Sequence, residues 1–255
     1  MTKSRASSTE DARWYRQKGH NDAMEFAIAI GLPKDYENDP QAKKDVIDPS
    51  GDAHSVKSGE KKWQIFLYRL SRFQSDDAFV AMNGIGALLE DCIKAFPGTF
   101  EEHQENKIEA KERLRIPMRK LAERFQHKGI LKAFLGKSLF NGNEVKYLTV
   151  KVGGNFHVFL NRDVVGLLGK ELEVCNSRAI SSGNMPEQKV LFRYEGVNVG
   201  ELEMRNDSRV HYREIRFNML KPRVMQLLLM LPMNRQFSKK VLVYGNASKT
   251  FGRWQ

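Results

Sequence analysis

The stretch that most constrains this chain is Asp45-Val-Ile-Asp-Pro-Ser-Gly-Asp-Ala-His-Ser-Val-Lys57. Val46 and Ile47 suit a short strand, Pro49-Ser50-Gly51-Asp52 has the composition of a turn, and His54 to Lys57 begins a second strand, so the segment reads as a hairpin. Side chains alternate across a strand, which puts Ser55 and Lys57 on one face and Val56 on the other. A tight turn then brings Asp45 or Asp48 level with that pair. A carboxylate at a strand end can present hydrated Mg2+ to a phosphate, because this hard cation binds through one or two carboxylates and keeps most of its waters. A lysine beside it can hold or help deprotonate the attacking water. The same letters also suit an ordinary polar hairpin, so the rest of the chain has to weigh between the two.

The charge balance points to a polyanion. Against 31 Asp and Glu stand 42 Lys and Arg, a net charge of +11. Phosphate neutralisation and counterion release make nucleic acid the natural partner, with an anionic membrane surface as the alternative. From Lys107 to Lys151 there are 12 Lys or Arg and 4 Glu, a density that fits either a solvated helix face or a DNA backbone contact. The two cysteines, Cys92 and Cys175, have neither zinc-ligand nor disulfide-framework spacing, as expected of a reducing cytoplasm. The N-terminus lacks the apolar run of a signal peptide, and no stretch is long and apolar enough to span a bilayer. No phosphate-binding glycine loop or nucleophile elbow is present, which disfavours a small-molecule enzyme.

Along the chain, residues 1–11 read as a polar arm, Asp11 to Ile30 as a helix ending at Gly31-Leu-Pro33, and 34–44 as a charged loop. Trp63 to Phe73 fits a core strand or a helix. Ala78 to Ala95 reads as an amphipathic helix weakened at Gly84 and Gly86, and Glu101 to Phe134 as long helical material interrupted at Pro117. Val145–Val152 and Phe156–Leu160 form a hairpin about Gly153-Gly154-Asn155, Asp163 to Leu168 is a short helix, 176–188 a polar loop, and Lys189–Tyr194 a strand. Val224 to Leu231 reads as a buried helix between Pro222 and Pro232.

A second informative block is Gly200 to Met219. The strands Glu201–Arg205 and Arg213–Met219 flank a loop whose Arg205, Asn206, Asp207, Ser208, Arg209, His211, Tyr212 and Arg213 include the side-chain types that read base edges, Arg to guanine, Asn to adenine and Asp to the cytosine amino group. A polar surface hairpin tip is the other reading of the same loop.

Asp45, nine intervening residues and then Ser55-Val56-Lys57 resemble the signature of the PD-(D/E)XK nuclease superfamily, the fold of most type II restriction endonucleases. The chain departs from that pattern in two places: Lys44 stands before Asp45 in place of proline, and Ser55 stands where the second acid is usual. The resemblance implies that the missing carboxylate comes from elsewhere, with Glu25 on the apolar helix upstream as candidate and Asp48 and Asp52 as rivals of Asp45. Gln64-Ile-Phe-Leu-Tyr68 is similar to the Gln-x-x-x-Tyr element of helicase-associated nucleases, and the Gly200–Met219 hairpin is similar to C-terminal segments of compact restriction enzymes.

The resemblance further implies an α/β (α+β) fold with a restriction-endonuclease-like mixed central sheet flanked by helices, forming one nuclease domain over 1–255. Its parts would be a catalytic half (12–100), a basic helical segment (101–140) and a strand-rich DNA-recognition half (141–255). The implied activity is Mg2+-dependent, sequence-specific cleavage of double-stranded DNA by a cytoplasmic restriction enzyme. Asp45 and Glu25 would hold the metal, Ser55 would bond a metal water, and Lys57 would position or activate the nucleophile. A palindromic target would call for a homodimer. A non-catalytic DNA-binding protein of the repressor kind, or an RNA-binding or RNA-processing protein, would share the charge and the hairpin.

Overall fold

The computed structural model describes residues 9–36, 45–179 and 185–248. The first eight residues of the expected arm, most of the 34–44 loop and part of the 176–188 loop lie outside them. In chain order the elements are α1 (Thr9–Ala29), β1 (Val46–Ile47), β2 (Ala53–Lys57), β3 (Lys62–Tyr68), α2 (Leu70–Ser75), α3 (Asp77–Val80), α4 (Ile85–Lys94) and α5 (Phe100–Glu105). There follow α6 (Lys107–Gln126), α7 (Lys128–Phe140), β4 (Tyr147–Val152), β5 (Asn155–Leu160), α8 (Asn161–Glu171), β6 (Glu173–Asn176), β7 (Lys189–Tyr194) and β8 (Val197–Arg205). β9 (Glu214–Leu220), α9 (Lys221–Leu228), β10 (Met233–Ser238), β11 (Val241–Tyr244) and a 3-10 turn (Gly245–Ala247) follow among the described residues. The fold is mixed α/β, and no helix among the described residues is long and apolar enough to cross a membrane.

The chain divides into two compact units, each assembled from separated segments: Met1–Glu60, Asn143–Val164 and Leu228–Gln255 in the first, Lys61–Gly142 and Val165–Leu227 in the second. Both the 12–100 and the 141–255 stretches therefore contribute to each unit, where the sequence suggested consecutive halves. Strand pairing drives this interleaving, since β2 finds its neighbour in β4, some ninety residues on by its register of His54 with Tyr147.

In the first unit the sheet runs β1-β2-β4-β5-β11-β10. β1 and β2 are antiparallel, β2 and β4 parallel, β4 and β5 antiparallel, and β5 and β11 parallel. Helix α1 covers one face: Phe26 and Ala27 are fully buried and pack with Val46, Tyr147, Phe156, Val158 and Val243. The His54 ring lies 5.0 Å from Phe26 and stacks at 4.7 Å on Tyr147, which identifies the face bearing His54, Val56, Tyr147, Thr149 and Lys151 as the α1 face. Alternation puts Ser55 and Lys57 on the opposite face.

In the second unit the sheet runs β3-β9-β8-β7-β6. One face is aromatic, where Phe66, Phe134, Phe192 and Phe217 are in ring contact with one another or with shared neighbours. Truncating any one of these buried rings to alanine would cost about 3–5 kcal/mol. The other face is a ladder of opposite charges, with Lys189 between Glu201 and Glu203, Lys62 on Glu201, and Arg216 on Glu203. The Gly200–Met219 strands thus pair as expected, although β8 starts earlier, at Val197.

Several sequence-based boundaries shift for local reasons. The 78–95 helix breaks into α3 and α4 because Asn83 and Gly84 take left-handed backbone angles (φ 46° and 83°). At Gly86 a Cβ would come within 2.5 Å of the Phe79 carbonyl oxygen, so the close return of the chain there requires glycine. Pro117 does not interrupt its helix. It sits inside α6, whose buried Leu114, Met118 and Leu121 repay the roughly 3 kcal/mol that an interior proline costs. The breaks fall instead at Asn106 and His127, and Thr99 with Glu102 forms a capping box that starts α5. The Val224–Leu231 helix is α9, which begins at Lys221 and ends at Leu228, leaving Leu229 and Met230 about half exposed (50% and 52%). Strands β6, β10 and β11 were not anticipated.

Candidate active site

The 45–57 hairpin forms as the sequence suggested, and Asp48 is the reason its turn is tight. Asp48 Oδ1 accepts from Ser50 N (2.8 Å), Ser50 Oγ (2.7 Å) and Asp52 N (3.0 Å), and Gly51 carries the positive φ of 87° that closes the turn. Its other oxygen, Oδ2, meets His54 Nε2 at 3.1 Å, with both side chains fully buried. Burial holds the His54 pKa below its ordinary value despite the neighbouring carboxylate. Burial opposes Asp48 ionisation, but the bonds from His54 and Ser50 outweigh it and its pKa falls. At neutral pH the pair is therefore neutral histidine and carboxylate, with Nε2–H donating to Asp48 and Nδ1 accepting from the Thr149 hydroxyl at 2.9 Å. Asp48 is consumed by structure. Asp52 receives the Tyr147 hydroxyl at 3.4 Å.

Asp45 is held differently. Its backbone N–H donates to the His54 carbonyl, and its Oδ2 accepts from Val56 N at 2.6 Å and from Ser55 Oγ at 3.5 Å. The carboxylate thus takes the place of the next strand residue in the β1-β2 ladder. Desolvation raises its pKa, opposed by the Lys57 charge, the Val56 N–H and the Ser55 hydroxyl. A buried carboxylate that burial pushes toward protonation gains from a nearby cation, and Lys57 has no ion-pair partner among the described residues. Asp45, Ser55 and Lys57 are therefore brought together.

Glu25 is not brought to them. It lies on α1, where its Oε2 accepts from Lys151 Nζ (2.6 Å) and its Oε1 from Lys240 Nζ (3.0 Å). Lys151 belongs to the α1 face, opposite to Ser55 and Lys57. The bond from Lys151 is the main cause of the lowered Glu25 pKa, whereas the Lys57 charge acts on Asp45. Asp22, three residues earlier on the same helix, shares Lys151 at 2.6 Å, and its buried Oδ2 has no hydrogen-bond partner. Sequence reasoning passed over Asp22, although its spacing of three from Glu25 puts both on one helix face. Among the described residues no group of three His, Cys, Asp or Glu stands close enough to share a metal ion. A fit to Mg2+ rests on Asp45 alone: one carboxylate oxygen is committed to Val56 and Ser55, and the second is left to meet a cation that keeps most of its waters.

The 206–213 loop lies in the second unit and is tied largely to itself and its supports. Arg205 forms a two-pronged pair with Asp207 (2.7 and 2.9 Å), and Arg209 pairs with Glu101 at 2.5 Å. His211 N donates to Ser208 Oγ, and its Nδ1 meets Glu214 at 2.8 Å. Tyr212 donates to the Pro97 carbonyl at 2.8 Å and stacks on the buried His103. Arg213 takes a left-handed φ of 59°, and its buried Nε has no partner. Asn206 faces a cavity. Gln64 and Tyr68 sit on β3, where Tyr68 stacks on Phe66 at 4.5 Å and Arg72 lies over its ring. Compared with protein-family models, curated proteins and solved structures, the chain matches none.

Proposed function

We propose that the protein is a Mg2+-dependent endonuclease of double-stranded DNA, resembling type II restriction enzymes in its N-terminal hairpin. The observation that carries the reading is the Asp45–Ser55–Lys57 grouping, in which a strand-end carboxylate is fixed by the Val56 N–H beside a lysine with no ion-pair partner among the described residues. Helix α1 packs on a mixed sheet whose edge hairpin carries these residues, an arrangement compatible with an α/β nuclease. The net charge of +11 supports a polyanionic substrate, and two unpaired cysteines suit a reducing cytoplasm.

Asp45 would hold the metal, with phosphate and water completing its shell, and Mg2+ when bound would supply charge stabilisation to the phosphate. Ser55 positions the carboxylate, and the Lys57 ammonium orients the attacking water and offsets charge on the phosphate. Glu25 is assigned no metal role, because two lysines already satisfy it. That same neutralisation favours a second reading, a DNA-binding protein without hydrolytic activity. Plasmid or phage DNA incubated with the protein in Mg2+ or EDTA separates the two. Discrete Mg2+-dependent fragments support the nuclease, and intact DNA with a salt-sensitive mobility shift supports the binder. If the target is palindromic, a homodimer with one site per strand is the expected assembly.

A further inference from the structure

We propose that a cavity of about 340 Å3 in the second unit binds a single nucleotide, with the base inside and the phosphate at the mouth. The cavity opens between α6 and the segments that bracket β7 and β8, and its residues divide by chemistry. Leu114 and Met204 are buried apolar wall, and Met185 adds a thioether. Methionine sulfur packs favourably against aromatic rings, so this lining suits a flat conjugated ligand. Polar groups on the wall match a base edge. Glu203 is buried and already engaged through both oxygens by Lys189 at 2.5 Å and by Arg216, so the base edge falls to the amides of Gln188 and Asn206. The Asn206 amide has both donor and acceptor.

Of the three cations that line the cavity, Lys189 is held by Glu201 and Glu203, whereas Lys111 and Arg178 have no ion-pair partner among the described residues. Neighbouring basic groups are committed: Arg115 and Arg119 to Glu187, Arg205 to Asp207. Uncommitted cations beside an apolar slot fit a ligand that joins an anion to an aromatic ring. Inorganic phosphate would leave the apolar wall unused, and a purely aromatic ligand would leave the cations unused. A nucleotide satisfies both, whether it comes from the free pool or is extruded from a duplex. The proposal concerns the second unit and does not depend on the nuclease reading of the first.

The test titrates the full chain, in EDTA to prevent cleavage, with each of dAMP, dCMP, dGMP and dTMP and with inorganic phosphate by calorimetry. At least one nucleotide should bind saturably and about tenfold or more tighter than phosphate. Met185→Trp, which fills the cavity from a partly exposed position, and the double change Lys111→Ala with Arg178→Ala should each weaken binding about tenfold or more, with thermal melting confirming that the variants fold. A duplex series carrying 2-aminopurine at successive positions distinguishes the sources. A fluorescence rise at one position that Met185→Trp abolishes assigns the ligand to the duplex, and nucleotide binding without such a rise assigns it to the free pool. The proposal is overturned if no nucleotide binds at millimolar concentration and no duplex position responds, if phosphate binds as tightly as the nucleotides, or if folded variants bind like the wild type.

Discussion

Asp48→Ala and Asp45→Asn, two changes three residues apart, should have opposite consequences. Removing the Asp48 carboxylate deletes the acceptor for Ser50 N, Ser50 Oγ, Asp52 N and His54 Nε2. The Ser50 groups can turn to water, since that residue is exposed, but His54 is fully buried. Stranding its N–H costs about 1–3 kcal/mol, and loss of a side-chain acceptor that organises a turn adds about 0.5–2 kcal/mol, as for a helix cap. Asp48→Ala should therefore lose about 1.5–5 kcal/mol in urea unfolding followed by circular dichroism. Asp45→Asn keeps an oxygen for the Val56 N–H and removes a charge that burial disfavours.

The pH dependence of the Asp45 effect follows from its raised pKa. Its contribution to stability is present below the ordinary carboxylate pKa and lost as pH rises through the higher folded value, so at neutral pH the asparagine variant should be as stable as the wild type or more so. Under the nuclease reading that variant is inactive, while Asp48→Ala retains activity in proportion to its folded fraction. An Asp48→Ala protein within about 0.5 kcal/mol of wild type, or an Asp45→Asn protein destabilised by about 2 kcal/mol or more, would refute the assignment of one carboxylate to structure and the other to chemistry.

Three other outcomes are expected. Burial lowers the pKa of His54 and of His103, so in acid the unfolded chain takes up protons that the native state refuses; stability should fall as pH drops below about 6.5, and His54→Asn should flatten that slope in pH-dependent melting. Glu25→Gln should leave cleavage within a few-fold of wild type and cost no more than about 1 kcal/mol, because it loses only partly exposed pairs with Lys151 and Lys240; loss of cleavage in a folded variant would return Glu25 to the metal site. Asp207→Ala should free Arg205 for phosphate, strengthening DNA binding and steepening the log–log salt dependence by about 0.9, read by anisotropy titration at several salt concentrations.

The parts of the fold that were legible carry their own local instructions. Pro49-Ser50-Gly51 with Asp48 makes the first hairpin and Gly153-Gly154 the second, since both need turn chemistry that few residues supply. Lys57 and Ser55 could be put on one face because strand alternation depends on neighbours only. What could not be read depends on distant partners. Glu25 finds Lys151 and Lys240 at separations of 126 and 215 residues, and nothing in the helix announces that two lysines will claim it. The 206–213 loop looked like a free reader for the same reason, since Glu101 and Pro97, which anchor Arg209 and Tyr212, lie a hundred residues upstream. Strands β10 and β11 escaped notice because Met233–Ser238 is largely exposed and polar, and its place at a sheet edge is fixed by the parallel pairing of β11 with β5.

The most direct test of the central claim is single-turnover cleavage of duplex DNA in Mg2+ by wild type, Asp45→Asn and Lys57→Ala, each verified as folded by circular dichroism. Discrete fragments are expected from the wild type, none in EDTA, and rates reduced by at least about a hundredfold in both variants, as expected when a metal-holding group or a charge-stabilising, water-positioning group is removed. Cleavage that persists unchanged in the two folded variants, or a wild type that binds DNA and never cuts it, would contradict the claim that Asp45 and Lys57 form a hydrolytic site.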